Sequence, residues 1–367
     1  MGKVTSQTYQ AGLSESLPVI IDWLVVSTLI LLMAGLLNFF LARKSPSFRN
    51  ANWRMAFVAL ALLPLLQWLG PELGIAIPVS LNERLANGSF AFLPPLANLL
   101  VYLTLLYCAG AAFNLLKLTA DIRAVIRSSI TCQPCDNPEL AAQLAELSQR
   151  NGVTQPVSLY LSSAVRSPST WGVFRHRIIL PTAAQNWGTV SNQCVLGHEL
   201  GHIARNDWFF YVLSRLVASL YWFNPLAWSA LARLEAEAEK SCDDIAIDDS
   251  GCQFAYAECL VCMAQTMLPD ASKYKPGMLG NAHQLTQRIN HILHPQADRH
   301  HIPRESFLPY LFTAVALTCC LSSLHFNFQA KEDSQLPGLL IPVHFVPANS
   351  DEFKLLMSGQ PVRHPNQ

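Results

Sequence analysis

Cys194-Val-Leu-Gly-His198-Glu199-Leu-Gly-His202 is the stretch on which the reading of this chain turns. Apolar residues recur in it at helical spacing, and the two histidines stand four apart. A helix therefore sets both imidazoles on one face, within reach of one metal ion. Zinc takes neutral imidazole readily, and two histidines leave room for a third ligand and a water. Glu199, next to His198, then lies close enough to take a proton from that water. Further along, Glu235, Glu239, Asp243 and Asp244 crowd one short stretch. Glu239 and Asp243 are four apart and share a helical face. A carboxylate there can complete the ligand set, and a second can hydrogen-bond the far nitrogen of a ligand histidine.

Around this centre the pattern predicts a small α+β domain of a few antiparallel strands packed on helices. A helix is expected over Pro138–Arg150, stopped by Asn151-Gly152, and another over the charged run Leu231–Asp244. Strands are expected at Val157–Leu161 and Arg177–Leu180, the second ended by Pro181. Between them Ser167–Val173 reads as extended. Pro168 cannot donate to a ladder, which suits an edge strand. An edge beside the metal helix can accept an extended peptide as an added strand, making Ser169, Thr170, Trp171 and Gly172 candidate substrate-binding residues.

The rest of the chain is unusually apolar. Charged residues are 14% of the 367, against roughly 25% in ordinary soluble domains. Apolar residues are 51% and mean hydropathy is +0.25. That composition excludes disorder. Lys+Arg and Asp+Glu are 25 each, so direct nucleic-acid binding is not expected. What remains is an integral membrane protein with a polar part outside the bilayer. Four runs are candidate spans: Val19–Leu41, Met55–Leu69, Phe90–Leu116 and Phe307–Leu324. A fifth, Trp208–Trp228, carries Arg215 near its middle and reads as a helix lying against the membrane. Val19–Leu41 is too long for a cleavable signal peptide and has no small-residue cleavage pattern before Arg43. Arg43, Lys44, Arg49 and Arg54 follow the first span with no acidic residue among them, which places that loop in the cytoplasm. The expected organisation is an N-terminal membrane region over 1–116, a cytoplasmic metal domain over 117–305 with a membrane-associated helix at 208–228, a fourth span over 306–325, and an external tail over 326–367.

Other residues fit plainer roles. Cys132 and Cys135 form a lone CxxC, expected to be a reduced loop. Cys242 beside the acidic pair reads as a buried thiol. Asp22 and His325 read as interfacial polar residues. His283, His291, His294, His300 and His301 form a loose stretch, with His300-His301 a basic membrane edge. Asn224-Pro225 reads as a helix break or turn, and Asn87-Gly88-Ser89 matches a glycosylation sequon.

Three separated motifs stand in order: His198-Glu-Leu-Gly-His202-Ile-Ala-Arg205-Asn-Asp207, Tyr221-Trp-Phe-Asn-Pro-Leu-Ala-Trp228, and Glu239-Lys-Ser-Cys-Asp243. Together with Ser167–Pro181 upstream, they resemble the BlaR/MecR-type integral-membrane zinc metallopeptidases, over about residues 15 to 325. The motifs are also similar to those of HtpX-like and CAAX-prenyl-type membrane peptidases. The resemblance implies a helical membrane protein with about four spans and a gluzincin-type α+β peptidase domain. It implies one Zn2+ per chain held by His198, His202 and Glu239, with Glu199 as general base and Asp243 behind the ligands. It further implies a bacterial-type inner-membrane location, multi-pass, with the active site facing the cytoplasm. The antibiotic-sensing members carry a large external penicillin-binding domain after the last span. Residues 325–367 contain no SxxK and no KTG, so direct β-lactam binding is not expected.

The functional expectation is a membrane-embedded zinc endopeptidase that cuts a cytoplasmic protein, such as a transcriptional repressor, in a signalling response. The partners expected are that protein substrate and membrane lipid, with homodimerisation left open. Two alternatives share the motifs: a quality-control protease of HtpX-like type, and a non-catalytic transmembrane signalling or scaffold protein with a structural zinc. A structural site calls for four closed protein ligands, whereas three ligands beside Glu199 favour catalysis.

Overall fold

The computed structural model describes residues 23–69, 77–80, 96–130, 132–267 and 278–301, together with 316, 318 and 324–327. Its helices begin with α1 over residues 23–40, α2 over Pro46–Leu69 and α3 over Leu96–Ile130. Asn137 caps the next helix, α4 (Pro138–Arg150), by accepting from the Glu139 and Leu140 amides, and Pro138 supplies a preset first turn. The strands are β1 (Ile77–Ser80), β2 (Gln133–Pro134), β3 (Val157–Ser162), β4 (Ser169–Trp171), β5 (His176–Pro181) and β6 (Leu324–Asn327).

The main sheet runs β2-β3-β5-β4 and is mixed, where the sequence suggested antiparallel pairing throughout. The chain leaving β3 passes to the outer edge, descends as β4, and returns as β5 between the two. β5 consequently runs parallel to β3 (Leu159 opposite Ile178) and antiparallel to β4 (Thr170 opposite Ile178). The turn between β4 and β5 needs Gly172: its φ is 110°, and a Cβ there would lie 2.1 Å from the Arg175 carbonyl oxygen. Ile178 and Leu180 of β5 are buried with Leu140, Leu144 and Leu147 of α4. Val195, Leu196, Leu200 and Ile203 of the next helix, α5 (Thr189–Ala204), complete that core.

After α5 the expected single membrane-associated helix over 208–228 divides. α6 spans Asp207–Leu220 and α7 begins afresh at Pro225, running to Ser250. The break follows from Asn224, whose side chain accepts from the Leu226 amide, and from Pro225 at the first helical position. Arg215, costly in a bilayer if alone, pairs with Glu235 of α7 at 3.3 Å. Gly251, with φ 68°, ends α7 in the left-handed region. α8 (Gln253–Met267) and α9 (Met278–Leu293) then pack against α7 and each other.

Two helices among the described residues are long and apolar enough to cross a membrane, Trp23–Arg43 and Val101–Arg127. At about 1.5 Å per residue the 35 residues of α3 reach roughly 50 Å, well beyond the hydrocarbon core. The expected domain boundary at 116/117 therefore falls inside a continuous helix. α2 contains the second expected span, yet Phe57, Leu60 and Leu63 are buried with Val217, Leu231 and Leu234 of α6 and α7. Phe307–Leu324 lies almost wholly outside the described residues, as do Asp22, the Asn87 sequon and the tail beyond Asn327. The small parallel pair β1–β6 joins Ile77 to Leu324 and Ser80 to Asn327.

Candidate metal centre

Helix α5 presents His198 and His202 toward α7, which presents Glu239. The close approach of these two helices has a local cause. A Cβ at Gly201 would sit 3.4 Å from the Cys242 Cα, and one at Gly197 would sit 2.9 Å from Asp249 Oδ2. Glycine at both places lets the helices come near enough for three side chains to converge. The Nε2 atoms of His198 and His202 are 3.3 Å apart. Glu239 Oε2 lies 3.5 Å from His198 Nε2, and its Oε1 lies 3.6 Å from His202 Nε2. Tetrahedral ligation at about 2.0–2.1 Å requires donors separated by about 3.3–3.4 Å. Each imidazole has one Glu239 oxygen close to that spacing, single donor atoms of the three side chains lie within 4.8 Å of one another, and two imidazoles with a carboxylate are the donor chemistry of a zinc-sized ion.

The outer nitrogens are also held. His198 Nδ1 lies 3.1 Å from the Tyr256 hydroxyl and 3.3 Å from Asp243 Oδ1, and the Tyr256 hydroxyl donates to Asp243 at 2.7 Å. His202 Nδ1 lies 2.8 Å from Asp207 Oδ2 and 3.3 Å from Cys242 Sγ. With Nδ1–H donating outward, each Nε2 faces into the triangle, where a cation would replace its proton; this is the carboxylate–histidine support that metal-binding imidazoles use. Asp207 is itself fixed by Arg54 of α2 and by Arg205 at 3.4 Å. Arg288 of α9 grips Asp243 with Nε and Nη2 at 2.8 and 2.5 Å and reaches Glu239 Oε2 with Nη1 at 2.9 Å.

The charge balance favours a cation. Burial alone would raise the Glu239 carboxyl, but its contacts with His198, Arg288 and His202 hold it at about 2. Burial would lower His198, yet Asp243 and Glu239 raise it to about 10. Burial pushes the Cys242 thiol up to about 11, so it stands beside the site as a neutral thiol. The imidazoles thus keep protons because carboxylates crowd them, and a divalent cation entering the triangle takes the place of those protons.

Glu199 sits next to this group, nearly buried, and the Thr170 hydroxyl donates to its Oε2 at 2.5 Å. Thr170 belongs to β4, an edge strand as read from the sequence. A cavity of about 630 Å³ opens over His198, His202, Glu199 and Glu239, walled on one side by Ser169, Thr170 and Gly172. Trp171, the fourth of the expected substrate residues, is not in that wall; Arg177 covers its ring at 4.9 Å. Asp243 stands behind His198. Glu235 turns to Arg215, and Asp244 pairs with His291 at 2.9 Å. Asp207, Tyr256 and Arg288 were not singled out from the sequence. Asp207 had a signal, since it lies five residues beyond His202. Tyr256 and Arg288 come from helices whose sequences carry no motif.

Among the described residues, the His, Cys, Asp and Glu groups close enough to hold an ion are His198–His202–Glu239 and, sharing His202, His202–Asp207–Cys242. The His-rich stretch does not converge: His300 pairs with Asp298 and His301 with Asp248, each at 2.9 Å. Cys132 and Cys135 flank β2 outside any disulfide, and the Cys135 amide donates to the Leu159 carbonyl at 3.0 Å.

Two histidines four apart on a helix, a glutamate between them and a carboxylate from a second helix make up the ligand pattern of the H-E-x-x-H metallopeptidase class. The chain belongs to the BlaR1 peptidase M56 family, whose profile matches residues 81–292. It is 27% identical over 209 residues to the regulatory protein BlaR1 of Bacillus licheniformis, covering 56% of this chain and 35% of that protein. It is 26% identical over 88 residues to the methicillin resistance mecR1 proteins of Staphylococcus aureus and Staphylococcus epidermidis, covering 24% of this chain and 15% of each of those. The match thus spans about a third of the BlaR1 relative's length and less of the mecR1 proteins.

Proposed function

We propose that this chain is a multi-pass membrane zinc endopeptidase that cuts a cytoplasmic protein in a signalling response, with a transcriptional repressor as the kind of substrate. The observation that carries the reading is the triangle of His198, His202 and Glu239 at 3.3–3.6 Å beside Glu199. In this reading those three residues hold one zinc, and Asp243 and Asp207 orient the two imidazoles. Zinc there supplies Lewis acidity, polarising a carbonyl and easing the deprotonation of water near neutral pH. Glu199 accepts a proton at its carboxylate and returns it to the leaving amine, as a general base and then acid. The Thr170 hydroxyl keeps Glu199 turned toward the cavity. The free edge of β4, with Ser169, Thr170 and Gly172 on the cavity wall, takes the substrate as an added strand, which aligns its backbone along the site. The word regulatory in the BlaR1 relative's name supports a signalling role.

The test compares newly formed protein N-termini in cells carrying wild-type chain or Glu199→Gln, with zinc measured in both purified proteins. The amide keeps the size of Glu199 but cannot accept the proton, so Glu199→Gln should keep one zinc per chain and lose every chain-dependent cleavage. Cleavages confined to one or a few DNA-binding proteins support the signalling reading. Cleavages scattered over many unrelated proteins point to quality control. Identical N-termini in both strains would leave a scaffold with a structural metal.

A further inference from the structure

Arg288 lies outside every motif, yet it touches two acidic groups of the centre. Its Nε and Nη2 clasp Asp243 at 2.8 and 2.5 Å, and its Nη1 reaches Glu239 Oε2 at 2.9 Å. The guanidinium is planar, permanently charged and forked, so it fixes direction as well as distance. Glu239 has a choice that needs fixing: both of its oxygens lie within 3.6 Å of an imidazole Nε2. Left alone, that carboxylate can chelate an ion with both oxygens and fill the position a catalytic site keeps open.

We propose that Arg288 is a positioning residue that holds Glu239 to one-oxygen ligation. By occupying Oε2, it leaves Oε1 as the donor and preserves the open fourth position. The same fork aims Asp243 at His198 Nδ1, so one side chain sets the direction of two of the three ligands. The inference rests on the zinc reading above and concerns how that site is kept four-coordinate. Arg288 is suited to a separate test because α9 has other anchors. Ile292 is fully buried against α7 and α8, and His291 pairs with Asp244 at 2.9 Å. Removing the guanidinium therefore leaves α9 docked.

The experiment replaces the metal with Co2+ in the full-length purified protein and reads visible absorption together with the rate of transfer to a chromogenic chelator. Wild type should show the intense bands of a four-coordinate ion. Arg288→Met should show weaker bands typical of higher coordination, and should release cobalt about tenfold to a hundredfold faster, the range for loss of an outer-shell partner. His291→Ala, which cuts another anchor of α9, should keep the wild-type spectrum. Wild-type spectrum and release rate in Arg288→Met would overturn the proposal while leaving the zinc reading intact. An equal change in His291→Ala would also overturn it, by making Arg288 only a docking contact. A wild-type protein that takes up no cobalt would sink the zinc reading itself, and this inference with it.

Discussion

At the scale of single residues, Glu235 and Glu239 share one helix, four residues apart, and differ in what they face. Glu239 sits between two imidazoles at 3.5 and 3.6 Å, whereas Glu235 is tied to Arg215 at 3.3 Å. Their carboxyls diverge accordingly: burial raises Glu235, while the cationic neighbours of Glu239 overcome the same effect. Glu239→Ala should weaken zinc retention against a chelator by more than about a hundredfold, beyond the range for loss of an outer partner. Glu235→Ala should leave it within about twofold, because that carboxylate faces Arg215 and not the imidazoles. The reverse order would shift the third ligand one turn toward the start of α7. Helical periodicity put Glu239 and Asp243 on one face as ligand and support without saying which was which, and the resemblance of Glu239-Lys-Ser-Cys-Asp243 to a known motif selected Glu239 as the ligand. In the structure Glu239 lies beside both imidazoles and Glu235 beside Arg215, which is the contrast the two variants test. By contrast, Tyr256 and Arg288 were illegible in the sequence. A lone tyrosine and a lone arginine acquire meaning only when α8 and α9 bring them to Asp243.

At the scale of elements, the site depends on two helices approaching closely, and glycine makes that approach. The two glycines of α5 are not equivalent. A Cβ on Gly197 would press on the far end of the Asp249 side chain at 2.9 Å, which can move, whereas one on Gly201 would already be in contact with Ile245 and the Cys242 backbone at 3.3–3.4 Å, leaving no room for the branches of a larger side chain. Gly197→Ala should therefore be mild. Gly201→Val should push α5 from α7 and weaken zinc binding at least tenfold, with a loss of stability of about 1–3 kcal/mol from overpacking. Equal zinc affinity in both variants would mean that α5 and α7 do not need contact at Gly201 to align their ligands. The elements themselves were largely readable. Pro138–Arg150 carries its own cap and stop, and the strand at Arg177–Leu180 shows the continuous apolar run of a strand covered on both faces. The direction of that strand was not readable, because β4 makes an outward excursion before β5 returns to the middle of the sheet. Hydropathy ran Trp208–Trp228 together as one helix, while the break read at Asn224-Pro225 is where the structure divides it. Asn224 and Pro225 split it into two helices that pair Arg215 with Glu235, giving the arginine a protein partner.

At the scale of the whole molecule, the N-terminal apolar helices α1 and α2 share one core with α6 and α7 of the metal domain. Phe57, Leu60 and Leu63 of α2 are buried against α6 and α7, Arg49 pairs with Glu237 at 2.8 Å, and Asn50 donates to the Leu234 carbonyl at 2.9 Å. Gly110 of α3 makes room for Trp222, whose indole N–H donates to the Tyr107 carbonyl at 3.2 Å. Arg49 and Arg54, counted from the sequence as topology signals, therefore also clamp α2 to the metal domain. Arg43 and Lys44 keep the positive bias of that loop in their own right. The proposed topology puts the metal domain on the cytoplasmic side. It further requires residues 77–80, after the second proposed span, and 324–327, at the far end of the fourth, to share the opposite side. The parallel pairing of β1 with β6 is what such a layout permits, because two strands can pair only in one compartment. Reporter fusions after Asn87 and after Gln367 should accordingly be active outside, and one inserted near Asn137 should be active inside. Removing Arg43 and Lys44 together should weaken this bias, since each basic residue near a short span adds to it. If the Asn87 and Gln367 fusions fall on opposite sides, the β1–β6 pair cannot form and the number of crossings between them is odd. If the Asn137 fusion is active outside, the metal centre faces away from the cytoplasm, and a cytoplasmic repressor is excluded as substrate.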